Sequence, residues 1–479
     1  MSDRAIIGVD TGGTFTDVTL YDPASGRLIV GKTPSTPHDP SEGFGNGLGT
    51  VLAEARLGGE AVGRVLHGTT VATNLILERK GPKAALIVSA GFRYVLEIGR
   101  HDIPRRANLF AWQKPPRPVP PEHIWEARGR IAPDGVEIEP LDEAAVRRAA
   151  REIRMEGIAT VAVVLLHSYA NAAHEKRIAE ILREEHPDAQ VSLSAEVLPV
   201  LREYERSVVT LLNAYVMPVV STYVEKLEQR ADQQGISAPL LLMKSSGGVA
   251  STRAIRRTPV ETALSGPAAG IVGAAFVAEQ AGFGDLITID IGGTSADIAL
   301  VRGGAPGLTT TGRIADWRVT LPMVDLTTIG AGGGSLARLS ETSGLVVGPQ
   351  SAGAVPGPVC YGRGGTQPTV TDAHLALGHL PDGLLDGSFT LDRGAARRAI
   401  DEKIARPLGL SVDEAARGIL EIIDSTMLGA IRVVSVERGH DPRDFALVPF
   451  GGAGPLHGGA LSRLIDRKST RLNSSHIPL

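Results

Sequence analysis

Ile6-Ile7-Gly8-Val9-Asp10-Thr11-Gly12-Gly13-Thr14-Phe15-Thr16-Asp17-Val18 returns 280 residues later as Leu286-Ile287-Thr288-Ile289-Asp290-Ile291-Gly292-Gly293-Thr294-Ser295-Ala296-Asp297-Ile298. In both copies an apolar run ends in Asp, Gly-Gly-Thr follows, and a second Asp stands seven residues after the first. Two apolar runs around such a turn read as a β-hairpin, spanning residues 5–22 in the first copy. Glycines at a hairpin tip leave backbone N–H groups open to an anion, because no Cβ blocks the approach. The threonine adds a hydroxyl donor. The strand-ending Asp stands where a hard cation and its waters would bridge to phosphate oxygens. A single Gly-Gly-Thr is an ordinary tight turn. Two copies with the same Asp-to-Asp spacing make that account the poorer one. Neither copy ends in Gly-Lys-Ser/Thr, and neither contains GxGxxG.

Outward from the first hairpin, residues 26–33 read as a third strand and Ser41 to Phe44 as a helix start. A strand over Val62 to Leu66 leads into His67-Gly68-Thr69-Thr70-Val71-Ala72-Thr73-Asn74, and Ala84 to Ser89 is a further strand. Pro104 to Pro121 is a proline-punctuated loop. A helix over Leu141 to Glu156, a strand over Thr160 to Leu166 and a helix over Ala173 to Glu185 form a βαβ-type unit. A boundary is expected at 187–200, followed by one long helix, Tyr204 to Gln233, interrupted at Pro218. The expected domains are therefore 1–190 and 191–466, each with one hairpin. Residues 467–479 break the helical pattern and read as a non-native tail.

Bulk properties bound the function. At 479 residues with 43% hydrophobic content, the chain can build several cores. A net charge of −4 argues against a nucleic-acid or anionic-membrane surface. The lone cysteine, Cys360, excludes an internal disulfide framework and fits a reducing, cytoplasmic setting. Apolar runs such as Thr160 to Leu166 fall short of the roughly 20 residues that cross a bilayer. The expectation is an α/β protein without membrane or nucleic-acid partners.

A third element is Phe450-Gly451-Gly452-Ala453-Gly454-Pro455-Leu456-His457, a strand ending in a glycine turn that opens a helix. Such a turn lets an adenine or ribose lie against backbone. Two phosphate-type hairpins followed by this turn resemble the actin, sugar-kinase and Hsp70-type ATPase fold. That resemblance implies two RNase H-like lobes that clamp ATP and Mg²⁺. The intervening motifs narrow it. His67 to Asn74, Leu264-Ser265-Gly266-Pro267-Ala268-Ala269-Gly270, Gly330-Ala331-Gly332-Gly333-Gly334-Ser335, Gly348 to Ala354, Pro356 to Gly362, Pro368 to Ala373 and Phe450 to His457 are similar to the hydantoinase A/5-oxoprolinase family. The likeness covers about residues 5–466. It departs at Ala296, where the family usually carries a hydroxyl residue. It departs again at the C-terminus, where the family continues for another domain-sized stretch; the chain is read as C-terminally truncated.

The resemblance implies ATP-dependent opening of a cyclic amide such as a hydantoin or 5-oxoproline, through phosphorylation of the amide oxygen. It also implies a B-type partner subunit, hence a hetero-oligomer. Asp10 and Asp290 are the expected catalytic and Mg²⁺-binding carboxylates. Thr11, Gly12, Gly13, Thr14, Thr16, Asp17, Gly292, Gly293, Thr294, Ser295, Gly451, Gly452, Ala453 and Gly454 are the expected nucleotide-binding residues. His67, Thr69, Thr70 and Asn74 form a polar cluster after a strand, where open α/β sheets present ligand groups, and are the expected substrate residues. The alternatives are the ATP-binding subunit of a ketone carboxylase, a chaperone- or actin-like nucleotide switch, and a sugar kinase.

Other candidates carry less weight. A lone Cys360 is more often core packing than a nucleophile. Asp372, His374 and His379 suggest a metal site, but histidines five apart on a helix diverge by about 140°.

Overall fold

The computed structural model describes residues 4–12, 15–36, 38–100, 103, 108, 110–114, 117–314, 316–384 and 389–466. Gly13, Thr14, much of the loop expected over 104–121 and the 467–479 tail lie outside the described residues. The fold is mixed α/β. Its contacts divide it into two compact units: the chain through Ala268 with Leu308–Met323, and Ala269–Gly307 with the chain from Val324.

The first unit is built on a six-stranded sheet ordered Val249–Ser251, Leu240–Met243, Val62–Thr69, Ala5–Thr11, Phe15–Asp22, Arg27–Pro34. The quoted stretch forms the expected antiparallel hairpin, with Asp10 opposite Asp17 and Thr11 opposite Thr16. Strand Val62–Thr69 adds in parallel, bringing Gly68 beside Asp10. Period-two alternation buries Ala5, Ile7, Val9 and Thr11 on one face and leaves Asp10 on the other. Helix Pro40–Ala55, capped by Asp39, covers the buried face with Phe44, Leu48, Val51 and Leu52.

A second sheet in this unit is wholly parallel, in the order Gln190–Leu193, Thr160–Val164, Ala84–Ser89, Ile124–Ala127. Helices Glu143–Met155 and Ala173–Glu185 pack on it through Val146, Ile153, Ile178 and Leu182. The 187–200 segment lies inside this unit. Beside it Arg206 and Glu175, both buried, stand 3.5 Å apart, and both bond Ser194.

Helix Glu203–Gln233 corrects one expectation, because it is continuous, with Pro218 inside it. An interior proline costs a helix about 3 kcal/mol. Val208, Leu211, Leu212, Val216, Val220, Val224 and Leu227 are all buried around it. At roughly 1.5–3 kcal/mol for each large apolar side chain, that burial outweighs the break. Length and composition alone would let this helix cross a membrane, yet 67% of its apolar window is buried in the protein.

In the second unit, Leu286–Ile291 and Ala296–Arg302 pair antiparallel with Asp290 opposite Asp297. Ala446–Phe450 joins in parallel and places Phe450 beside Asp290. Strand, hairpin partner and parallel neighbour therefore repeat the register of the first copy. Helix Val412–Val434 supplies Ile419, Ile423, Met427 and Ile431 to the core beneath.

Candidate functional site

The first hairpin tip opens on a cavity of about 750 Å³. Thr11 and Gly12 reach it from the hairpin, Thr70 and Asn74 from the start of helix Val71–Glu78, and Tyr223 and Lys226 from the long helix. Pro218, Val219, Thr222, Tyr223 and Lys226 recur at helical spacing, so one face of that helix walls the cavity. The tip is braced from the side: Ser35 donates its hydroxyl to the Gly12 carbonyl at 2.8 Å, and Thr70 Oγ1 donates to the Thr11 carbonyl at 3.4 Å.

Asp10 meets solvent on one side yet is crowded by protein on the others. That crowding, reinforced by the Asp17 charge and opposed by Lys32, pushes its carboxyl up to about 6. Lys32 Nζ lies 2.6 Å from Asp17 Oδ1, so Asp17 is held by a cation on its neighbouring strand.

The expected substrate residues separate. Thr70 and Asn74 line the cavity, whereas His67 and Thr69 are buried behind it. His67 sits between the Val9 carbonyl, 3.2 Å from Nδ1, and the Tyr223 hydroxyl, 2.8 Å from Nε2, with its edge on Phe44. Burial drives its pKa down to about 4, the Val9 carbonyl opposing, so the ring is neutral. Thr69 exchanges hydrogen bonds with Ser265, and its hydroxyl accepts from the Val71 amide. Thr16 is likewise buried, its hydroxyl 3.1 Å from that of Ser35.

The second hairpin tip is clamped by the glycine-rich family motif Gly330 to Ser335, to which the sequence reading gives no site role. The amides of Gly333 and Gly334 donate to the carbonyls of Gly292 and Gly293 at 3.0 and 2.7 Å. A Cβ on Gly332 would fall 2.7 Å from the Gly292 carbonyl oxygen, so the two backbones approach as only glycine allows. The tip turn closes through the Gly292 amide on the Ser295 carbonyl, while Gly293 and Thr294 are exposed. Asp297 accepts from Thr328, but burial still raises its pKa.

The turn after Ala446–Phe450 folds against this hairpin. Ala453 donates its amide to the Ile291 carbonyl, and Gly454 opens helix Gly454–Ile465. Gly451 has φ +81°, and a Cβ there would lie 2.1 Å from Asp290 Oδ1. The strand-ending Asp and the glycine turn, distant in sequence, are thus one packed feature.

Cys360 is buried against Leu375, Leu391 and Ala396, and burial beside Asp372 pushes its thiol well above the ordinary range, as packing predicts. Asp372 caps its helix and accepts from the amides of Val359, Cys360 and Thr369. The histidine expectation needs correction. Helix Val370–Ala376 ends before His379, which folds back so that His374 Nδ1 and His379 Nδ1 are 3.0 Å apart. His374 Nε2 meets His457 Nε2 at 3.3 Å, and His457 Nδ1 meets Asp424 at 2.6 Å. One proton per ring satisfies this line: His457 donates to Asp424, His374 to His457 and His379 to His374. Burial, with the neighbouring imidazoles, lowers His374 to about 3. Among the described residues no cluster of three or more His, Cys, Asp or Glu side chains is placed to hold a metal ion.

Two family models cover this chain: the hydantoinase/oxoprolinase N-terminal region over residues 6–186, and hydantoinase/oxoprolinase over 206–474. The protein belongs to the hydantoinase/oxoprolinase family. Caprolactamase subunit alpha of Pseudomonas jessenii is 42% identical over 468 residues, covering 96% of this chain and 67% of that protein. The crystal structure of the ATP-dependent caprolactamase from the same organism superposes with a TM-score of 0.84 at 41% identity, over 96% of this chain and 67% of that one. A nucleotide-free acetone carboxylase structure gives 0.83 at 31% identity, over 97% and 68%. The chain thus spans about two thirds of the length of these relatives.

Proposed function

We propose that this protein is the A-type subunit of an ATP-dependent cyclic-amide hydrolase, acting with a B-type partner. The observation that carries the reading is its likeness, along nearly the whole chain, to an ATP-dependent caprolactamase subunit. The finer fold reading belongs to the same proposal. Each hairpin with its parallel neighbour is the start of an RNase H-like lobe of the actin, sugar-kinase and Hsp70 type, and the division expected near residue 190 moves to the unit boundary at Ala268.

Bound Mg-ATP supplies the phosphoryl group that turns a reluctant amide oxygen into a leaving group. Within each unit, the residues present suit part of such a ligand. Gly12 in the first hairpin, and Gly292, Gly293 and Thr294 in the second, offer backbone and hydroxyl donors to phosphate oxygens. The backbone of Gly451 to Gly454, bare of large side chains, suits a nucleoside. Asp10 and Asp290 hold the cation or its waters. Without the cation, crowding and the Asp17 charge raise the Asp10 carboxyl to about 6, so proton and cation compete for its Oδ atoms.

The test combines this chain with a B-type subunit, Mg-ATP and a panel of lactams, hydantoins, 5-oxoproline and small ketones. Phosphate release coupled to ring opening is expected, and Asp10→Asn should abolish it while circular dichroism stays unchanged. Retained turnover in that variant removes Asp10 from the chemistry. The likeness to acetone carboxylase supports a second reading, a ketone carboxylase subunit. Stimulation by ketones with bicarbonate, and by no cyclic amide, would establish it instead.

A further inference from the structure

The cavity at the first hairpin has two unlike surfaces. Val71, Leu75, Pro218 and Val219 give it a hydrocarbon wall. Thr11, Gly12, Thr70 and Asn74 make the end at the hairpin polar but uncharged. Among the described residues, three side chains able to carry positive charge also reach it, and each has a carboxylate partner. Lys226 Nζ lies 2.9 Å from Asp39 Oδ2, Lys80 Nζ 2.7 Å from Glu78 Oε2, and His38 Nε2 3.2 Å from Glu42 Oε2. Partial burial works to raise Asp39, yet its bonds to Lys226 and Ser41 hold it below the ordinary carboxylate range. The Tyr223 hydroxyl, the remaining titratable group, is engaged by His67. The lysines and carboxylates of the lining cancel, so the cavity offers an incoming anion no net attraction.

We propose that this cavity is the substrate pocket and that it selects an uncharged lactam over one bearing a carboxylate. The ring methylenes lie on Val71, Leu75, Pro218 and Val219, and the amide faces Thr70, Asn74 and the hairpin tip. The inference rests on the cyclic-amide reading and narrows it. A carboxylate on the ring would enter beside Asp39 and Glu78 and could gain a lysine only by breaking an existing pair. Exposed pairs are individually weak, so the discrimination is graded. The Lys226–Asp39 pair, with Asp39 only 17% exposed, contributes most of it.

The closing experiment uses 2-pyrrolidinone and 5-oxoproline, which share one ring and differ by the carboxylate, together with ε-caprolactam. Binding to the full chain is followed by saturation-transfer NMR, with and without Mg²⁺ and a non-hydrolysable ATP analogue. The neutral lactams should bind at least about tenfold more tightly than 5-oxoproline. Leu75→Trp, which fills the hydrocarbon end, should abolish their signal. Asp39→Asn keeps a helix-capping side chain but frees Lys226, and should narrow the tenfold gap. Equal or tighter binding of 5-oxoproline overturns the proposal, as does an unchanged gap in Asp39→Asn. Analogue binding with no lactam signal overturns the pocket and leaves the ATP reading standing. Lactam preference without analogue binding supports the pocket and counts against the ATP reading.

Discussion

Asp10 is the residue at which charge bears most directly on the proposed function. Its carboxyl titrates near 6 in the folded protein against 3.8 for the free side chain, chiefly through burial and secondly through Asp17. The folded state therefore holds a proton that the unfolded chain has released. The Asp10 contribution to stability is full below about 3.8 and is lost as pH rises through about 6. Asp10→Asn should accordingly raise the melting temperature of the free protein at pH 7 while removing turnover. Carboxyl-carbon NMR should place the Asp10 midpoint near 6, and Asp17→Asn should lower it. A midpoint near 4 in the unmodified protein would refute the assignment. On the proposed assignment of the cation to Asp10, Mg²⁺-nucleotide affinity should weaken as pH falls through the same range, because protonation removes the carboxylate. Gly451 is the other decisive residue. Its φ of +81° and its contact with Asp290 leave no room for a methyl group, so Gly451→Ala should cost at least about tenfold in Mg-nucleotide affinity by calorimetry. Gly452→Ala, where a Cβ meets nothing within 4 Å, is the control.

Among the elements, the twin hairpins show how far local pattern reaches. Two apolar runs around a Gly-Gly-Thr turn define strand and tip from sequence alone, and the structure adds the register, which pairs Asp with Asp in both copies. Helix Glu203–Gln233 shows where local pattern stops, since Pro218 signals a break that surrounding burial overrides. His67 is a parallel case. A histidine at a strand end reads as a ligand, but its position in the sheet turns it inward onto Tyr223, and only helix Val71–Glu78 carries Thr70 and Asn74 to the cavity. The Arg206–Glu175 pair is also tertiary, joining the long helix to helix Ala173–Glu185. Removing one member leaves a buried charge without compensation, so Glu175→Ala should destabilise the first unit by about 3–5 kcal/mol in denaturant titration. A loss under 1 kcal/mol would mean that water reaches Arg206.

Over the whole molecule, each unit has its own buried core, one around the six-stranded sheet and one around helix Val412–Val434. Hydrogen exchange should therefore respond unit by unit. Glu175→Ala should speed exchange in peptides from residues 160–233, and Gly332→Ala in peptides from 286–302 and 330–351. If either variant loosened both sets alike, the cores would form one cooperative body. Sequence by itself determined the α/β class, the two hairpins, the family and the packing role of Cys360, because each depends on short-range periodicity or on motifs held within a few residues. Tertiary structure alone decided that Gly451 abuts Asp290, that Gly332 to Gly334 clamp the second tip, that His379 folds back on His374, and that paired charges surround the cavity. The Gly451–Asp290, glycine-clamp and Lys226–Asp39 contacts join residues tens to hundreds of positions apart, and no local spacing encodes which distant group will arrive within 3 Å.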